Sequence, residues 1–149
     1  MSALEGKNLC QISLVVKDIE KTAAMYAKLL GVEVPPITTC PPPEIAHTTF
    51  LGEPTATQAR LCNFQINDHL VLELTECDEY PSTWKDFLEK HGQGVHHLGF
   101  ACPDRDATIQ ELEDNGMKVR HYGEYPGGNY TVIDSEEQLG VYLNIKPMG

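Results

Sequence analysis

Four polar residues interrupt apolar segments of this sequence where they could carry out chemistry: Gln11, Glu73, His97 and Asn144. A carboxylate flanked by leucines, as Glu73 is, either faces water or is partly desolvated, and desolvation raises its pKa and suits it to act as a general base. His97 is either a hydrogen-bonded core histidine or a second member of the same site. The amides of Gln11 and Asn144 are compatible with metal ligation, with donation to a substrate oxygen and with an internal amide pair.

An internal repeat relates these positions to one another. The segments Gln11–Asp18 and His97–Asp104 are apolar runs of equal length, and each ends in an Asp that is suited to cap a helix. Apolar residues then recur at helical spacing until a glycine ends the pattern. Because the two segments match in length, their first residues, Gln11 and His97, are equivalent members of the repeat. Glu73 and Asn144 are equivalent in the same way in the last strand of each repeat.

Alternating apolar and polar residues predict the strands of both repeats. The first repeat is predicted to have strands at 32–34, 61–67 and 70–75, and the second at 117–120, 129–134 and 141–146. The proline-rich stretch 35–43 is predicted to be an irregular loop. Between the repeats, Ser82 is suited to cap a short helix that carries Trp84 and Phe87.

These elements predict an α+β fold in a single domain spanning residues 1–149. Two βαβββ modules, about 8–76 and about 93–147, would close against each other into a curved mixed sheet with an inner cup and helices outside. Side chains alternate between the two faces of a strand, so the cup face is expected to carry the four polar residues together with Ser13 and Tyr142. Tyr130 is compatible with the same face. His96 is expected to face the helices instead.

Composition limits the partners of the protein. The formal net charge of −11 disfavours nucleic acid. No apolar run is long enough to cross a membrane, and no signal sequence opens the chain, so we expect a cytoplasmic protein without a membrane partner. The five cysteines form no C-x-x-C pair, which indicates reduced thiols. A small molecule bound in the cup is the expected partner.

Two segments give the chain a specific family resemblance. The run from Phe87 to Phe100, FLEKHGQGVHHLGF, and the strand Leu70–Thr75, LVLELT, resemble the vicinal-oxygen-chelate superfamily. That superfamily includes glyoxalase I, methylmalonyl-CoA epimerase, extradiol dioxygenases and antibiotic-binding resistance proteins. The first run is similar to the methylmalonyl-CoA epimerase branch in particular. The resemblance covers essentially the whole chain and implies a possible homodimer.

The resemblance also implies a metal site, with one departure. In these families the four cup positions bind one divalent ion such as Co, Ni, Zn, Mn or Mg. Gln11, Glu73 and His97 are residue types that the family uses there, whereas Asn144 stands where the family usually has Glu. An Asn carbonyl adds no charge and cannot act as a base. The cofactor is therefore either one divalent ion bound by these four residues or none.

The function implied by the resemblance is a racemase or epimerase that removes and returns a proton next to a carbonyl through an enolate. Glu73 would take the proton, and His97 would hold or reprotonate the enolate. Gln11, Ser13, Tyr142 and Asn144 would contact the substrate. If a metal is bound, Glu73 and His97 become its ligands, and Glu53 is the candidate base. The substrate would be a CoA thioester or, in better keeping with Asn144 and the net charge, a neutral aromatic ketone such as an isoflavanone.

Two alternatives belong to other classes of function. A glyoxalase I-like lyase acting on a thiol adduct would require a bound divalent metal. A non-catalytic, resistance-type binding protein would hold a flat molecule in the cup, and the replacement of the usual Glu by Asn144 favours this alternative.

Overall fold

The structure is a computed structural model that describes residues 2–148, in which ten strands form one curved sheet accompanied by five helices. The strands are β1 (Leu9–Val15), β2 (Ile37–Thr39), β3 (Thr49–Phe50), β4 (Glu53–Pro54), β5 (Arg60–Gln65), β6 (Val71–Glu76), β7 (Gly94–Cys102), β8 (Lys118–Tyr125), β9 (Gly128–Asp134) and β10 (Tyr142–Pro147). The helices are α1 (Ile19–Leu30), α2 (Pro43–Ala46), α3 (Thr83–His91), α4 (Arg105–Asp114) and α5 (Glu136–Leu139).

The order of strands confirms the two predicted modules. The sheet runs β2-β5-β6-β1-β7-β10-β9-β8-β3-β4. The first four strands belong to the first repeat and the next four to the second, in mirrored order. The central strands β1 and β7 pair antiparallel, so each module covers the open edge of the other. The sheet is mixed, because β1 pairs parallel with β6 and β7 parallel with β10.

The two long helices pack on the outer face of the sheet, as predicted. Asp18 caps α1 by accepting from the Lys21 backbone N–H at 3.1 Å, and Asp104 caps α4 by accepting from Ala107 N–H at 3.0 Å. Gly31 ends α1 in the left-handed conformation, with φ 70°. Each helix covers its own apolar core, which contains Leu74 under α1 and Leu143 under α4.

The helix α3 instead packs on the inner face. Its N-cap is Ser82, whose hydroxyl accepts from Lys85 N–H at 3.0 Å. Trp84 and Phe87 on α3 join a third core with Val15, Ala59, Val132 and Tyr142. α3 therefore closes one end of the cup.

The segment between α1 and β5 differs from its prediction. Residues 32–34 form no strand, and the stretch 35–43, predicted to be a loop, contains β2, which pairs with β5. Pro35 and Pro36 lack backbone N–H donors, so regular pairing begins only after them. The chain then crosses to the second module, where β3 pairs with β8.

This crossing brings the two ends of the sheet toward each other over the cup.

All five cysteines are free thiols, as expected. Within residues 2–148, none of the helices has the length and apolar character needed to span a bilayer.

Candidate functional site

A cavity of about 660 Å³ lies on the inner face of the sheet. Aromatic, apolar and neutral polar side chains dominate its walls. They are Cys10, Gln11, Thr38, Thr39, Cys40, Pro41, Ala46, Leu61, Asn63, Gln65, His69, Val71, Glu73, Trp84, His97, Ala101, Glu124, Tyr125, Tyr130, Val132, Asn144, Lys146 and Pro147. Its volume lies within the range typical of small-molecule sites.

The structure brings the four predicted polar residues together as the floor of this cavity. They come from four adjacent strands, with Gln11 on β1, Glu73 on β6, His97 on β7 and Asn144 on β10. Their exposed fractions are 6%, 9%, 2% and 4%, so Glu73 is the most accessible of the four. We call these four residues the floor.

Gly99 makes room for the floor. It is the register partner of Gln11 on one side and of Asn144 on the other. A Cβ at this position would lie 2.8 Å from Gln11 Cβ and 2.9 Å from Gln11 Oε1. A side chain at this point would therefore displace Gln11.

One backbone group sets the orientation of the two floor amides. Thr131 N–H donates to Asn144 Oδ1 at 3.2 Å, which turns the Asn144 NH₂ group toward Gln11. Since an NH₂ group needs an acceptor, Gln11 presents Oε1 to Asn144 Nδ2 at 3.3 Å. The Gln11 NH₂ group then points the other way and donates to Glu73 Oε2 at 3.1 Å.

The same logic fixes the protons on two histidines. His97 Nε2 lies 2.7 Å from Gln11 Oε1, which only accepts, so this nitrogen carries a hydrogen. His97 Nδ1 then has a lone pair and accepts from His96 Nδ1–H at 2.7 Å. Desolvation, with Lys146 and His121 adding smaller effects, lowers the pKa of His97 to about 3. His97 is therefore a neutral imidazole.

The position of His96 corrects an expectation. Its hydrogen bond to His97 shows that both side chains lie on the inner side, whereas simple alternation placed His96 on the opposite face. The physical reason is a β-bulge: Ser13 pairs with His97, but the next residue, Leu14, pairs with Val95. His96 packs against Phe87 of α3, with ring centroids 5.5 Å apart.

Glu73 is a buried carboxylate held by several donors. Ser13 Oγ donates to Glu73 Oε1 at 2.8 Å, and Thr75 Oγ1 at 3.3 Å. Burial raises the pKa of Glu73, and Ser13, Lys146 and Thr75 offset part of that rise. Three hydrogen bonds, counting the one from Gln11, thus reach its two oxygens, while burial makes the group a stronger base than a solvated glutamate.

The floor as hydrogen-bonded does not fit a divalent ion. A metal needs lone pairs that converge on one point. Here His97 Nε2 carries a hydrogen, the Asn144 oxygen is used by Thr131 N–H, and Gln11 Oε1 accepts from both neighbours. Turning Asn144 to ligate would break its hydrogen bond with Thr131 N–H, which holds the amide in its present orientation.

A second polar group, on the wall of the second module, was not predicted as a unit. Tyr130 lines the cavity, and its hydroxyl lies 3.1 Å from His121 Nε2. His121 is fully buried, and desolvation lowers its pKa to about 3. A second bulge, between Val119 and His121, determines the face of β8 on which the His121 side chain lies. Strand alternation in the sequence therefore did not predict that His121 contacts Tyr130. In contrast, strand alternation in the sequence could have predicted Lys146 as a cavity residue, because it shares a strand face with Asn144.

Three predicted residues lie outside the cavity wall. Ser13 is fully buried beneath Glu73 and contacts that carboxylate instead of a ligand. Tyr142 is on the inner face but beyond α3, where it packs on His96 at 5.1 Å and lines a separate cleft with Arg120. Glu53 is exposed on the edge strand β4. Ser13, Tyr142 and Glu53 are therefore not among the residues that line this cavity, and their predicted roles in substrate contact or catalysis stay predictions.

Comparison with known proteins identifies a family. Residues 10–133 match the model of the Glyoxalase/Bleomycin resistance protein/Dioxygenase superfamily. No curated protein sequence is significantly similar to the chain.

Solved structures share the fold at low sequence identity. A methylmalonyl-CoA epimerase in complex with methylmalonyl-CoA and NH₄⁺ is 22% identical with a TM-score of 0.66, over 95% of this chain and 94% of that one. A methylmalonyl-CoA epimerase from Mycobacterium tuberculosis is 18% identical with a TM-score of 0.65, over 95% and 88%. A hypothetical protein from Bacillus halodurans C-125 is 19% identical with a TM-score of 0.67, over 95% and 94%. These likenesses establish the vicinal-oxygen-chelate fold.

Proposed function

Because the chain belongs to the Glyoxalase/Bleomycin resistance protein/Dioxygenase superfamily, we propose that it applies the enolate chemistry of that superfamily as a racemase or epimerase. It removes the proton next to a carbonyl group of a small molecule and returns it to the opposite face. The similarity in fold to methylmalonyl-CoA epimerases supports this reaction class.

The observation that carries the proposal is the state of Glu73. It is a buried carboxylate of raised pKa, the most accessible member of the floor, and it borders a cavity of ligand size. A base with these properties is more reactive toward a weakly acidic C–H than a solvated glutamate. No metal ligand role competes for its lone pairs in the arrangement described above.

The other floor residues act through Glu73 in this proposal. Gln11 donates to Glu73, and His97 and Asn144 both hold the Gln11 oxygen. The sequence-based hypothesis gives His97 direct contact with the enolate, and such contact would require its bond to Gln11 to open. We propose that Gln11, His97 and Asn144 position the base.

The cavity chemistry favours a neutral aromatic ketone as substrate. Trp84, Tyr125 and Tyr130 supply aromatic walls, and Lys146 is the only Lys or Arg among the described residues that line it. A CoA thioester carries phosphates that require several cations, whereas this chain has a net charge of −11. An isoflavanone, in which a carbonyl activates the neighbouring C–H, fits both the size and the polarity.

The test uses one enantiomer of an isoflavanone in heavy water. The protein should abolish optical activity, measured by circular dichroism, and introduce deuterium at the carbon next to the carbonyl, measured by mass spectrometry. Glu73→Gln should lower both rates by about 10²–10⁴-fold, because the amide cannot accept the proton.

Glu79→Gln is the matched control, since it removes one carboxylate at an exposed position after β6. It should retain wild-type rates. Equal rates in the wild type and in Glu73→Gln would contradict the assignment of the base, and absence of any exchange in the wild type would contradict the choice of substrate.

One observation favours a second candidate, a non-catalytic binding protein. The floor amides are satisfied by each other, and Asn144 replaces a family carboxylate. This candidate predicts tight binding of a flat aromatic molecule with no exchange of its protons. A glyoxalase I-like lyase has less support, because it requires a metal that the floor, as bonded, does not fit.

A further inference from the structure

Tyr130 stands across the cavity from the proposed base. It lies on β9 of the second module, while Glu73 lies on β6 of the first, with three strands between them in the curved sheet. Both side chains line the same cavity. The curvature of the sheet therefore makes them facing walls.

A backbone group determines how Tyr130 can hydrogen-bond. Thr83 N–H at the start of α3 lies 3.4 Å from His121 Nδ1 and can only donate to it. Nδ1 therefore holds the lone pair, and the neutral ring carries its hydrogen on Nε2. His121 Nε2–H donates to the Tyr130 oxygen at 3.1 Å.

The phenolic hydrogen of Tyr130 is consequently free for another acceptor. His121 uses only a lone pair of the Tyr130 oxygen, and no other described residue lies within hydrogen-bond distance of it. Burial, together with Cys40 and Glu73, raises the pKa of Tyr130 well above its usual value, which keeps the hydroxyl protonated.

The strand opposite Tyr130 has no side chain at the place where the Tyr130 ring lies. Gly123 is its register partner on β8. A Cβ at Gly123 would lie 2.4 Å from Tyr130 Oη. Gly123, His121 and Thr83 thus fix one position of the hydroxyl, which is the arrangement needed for a preorganised donor.

We propose that Tyr130 donates a hydrogen bond to the carbonyl oxygen of an aryl ketone bound in the cavity, and that His121 is the residue that positions it. Within the floor, the His97 N–H and one N–H of the Asn144 NH₂ group are already directed to Gln11, whereas the hydroxyl hydrogen of Tyr130 has no acceptor among the described residues. The role in catalysis rests on the proposed function.

The corresponding proton transfer balances without any further reactant. Glu73 takes the α-proton, the C–H electron pair moves into the enolate, and negative charge develops on the ketone oxygen. Tyr130 keeps its proton and donates a shortened hydrogen bond to that oxygen. The Glu73 carboxyl, whose proton exchanges with solvent, returns a proton to the carbon, and this step restores the ketone and the carboxylate. The centre is inverted when the planar enolate presents its other face to Glu73.

The test compares two ligands that differ only in the carbonyl group, 4-chromanone and chroman. Binding is followed by the fluorescence of Trp84, which is the sole tryptophan and lines the cavity. Wild-type protein should bind 4-chromanone about 10-fold more tightly than chroman, and Tyr130→Phe should lose that preference while binding chroman as before. Tyr80→Phe, at an exposed position, is the control and should keep the preference.

A wild type without a carbonyl preference, including one that binds neither ligand, would overturn the proposal, as would a preference retained by Tyr130→Phe. These results do not depend on turnover. A preference that requires Tyr130 in a protein that fails to racemise isoflavanones would leave the donor assigned and contradict the proposed function alone.

His121 is tested by its effect on the same ratio. His121→Phe keeps a ring but removes the Nε2–H donor, so the carbonyl preference should fall by at least half its value while the affinity for chroman stays within a factor of two. An unchanged preference would overturn the positioning role. Equal losses for both ligands would indicate a packing effect and would also overturn it.

Discussion

At the scale of single residues, the amide of Asn144 determines the direction of the hydrogen bonds among the floor residues. Its oxygen accepts from Thr131 N–H, and its NH₂ group imposes an orientation first on Gln11 and then on Glu73 and His97. A carboxylate at this position would only accept hydrogen bonds. Gln11 would then have to turn its NH₂ group, instead of its oxygen, toward residue 144, and the orientation that it imposes on His97 would change as well. One residue type therefore separates a hydrogen-bonded floor from a set of metal ligands.

The variant Asn144→Glu should create a divalent metal site. A second carboxylate on the floor, joined to Glu73 through Gln11, adds the negative charge that a divalent ion requires. We expect the affinity for Ni²⁺ or Co²⁺, measured by isothermal titration calorimetry, to rise by at least 10-fold over the wild type.

The matched control is Gln65→Glu, which adds the same charge at an exposed position of the cavity wall whose partner on β6 is Val71 instead of Glu73. It should leave metal affinity near the wild-type value. Equal affinities of wild type and a folded Asn144→Glu protein would contradict the assignment of these four residues to a common floor.

At the scale of elements, the pairing of β1 with β7 joins the modules and also shapes the site. One bulge in this pair brings His96 and His97 to the same side, and one glycine, Gly99, leaves space for Gln11. The bulge interrupts regular strand alternation, and the glycine removes a side chain, at the place where the floor forms. Local departures from the ideal strand are thus part of the site.

Gly99→Ala tests this view of the strand pair. The added methyl group would displace Gln11 and disturb its bond to Glu73, so we expect the free energy of unfolding to fall by about 1–3 kcal/mol. Urea denaturation measures the change. Gly6→Ala is the control, because nothing lies within 4 Å of a Cβ built there. A stable Gly99→Ala protein with the floor unaltered would show that Gln11 is not confined.

At the scale of the whole molecule, folding removes three imidazoles from water. His96, His97 and His121 are all buried, and desolvation lowers the pKa of each. The unfolded chain binds protons at these histidines below about pH 6.5, whereas the folded chain does not. Their neutrality therefore contributes stability at neutral pH that is lost as the pH falls.

We expect the free energy of unfolding to fall below pH 6.5 by up to about 1.4 kcal/mol per pH unit for each of the three histidines. Glu73 opposes part of this fall, because its raised pKa makes the folded state the stronger proton binder at that site. Urea denaturation between pH 7.5 and 5.5 measures the slope. His121→Asn should reduce it by about one third, and an unchanged slope in that variant would contradict the contribution of this buried imidazole.

The sequence by itself determined the modules, the outer helices and the identity of the four floor residues. Side-chain alternation and helix capping are local properties, and the repeat relates Gln11 to His97 without any knowledge of the fold. The match in strand position between Glu73 and Asn144 is equally visible in the linear chain.

Only the tertiary structure decided which atoms of these residues face one another. The proton positions on His97 and His121 follow from the backbone N–H groups of Thr131 and Thr83, which are distant in sequence from the rings that they orient. The burial of Tyr142 behind α3 depends likewise on where that helix docks. Bulges, helix docking and hydrogen-bond direction depend on contacts between distant segments, and alternation within a single strand carries no record of them.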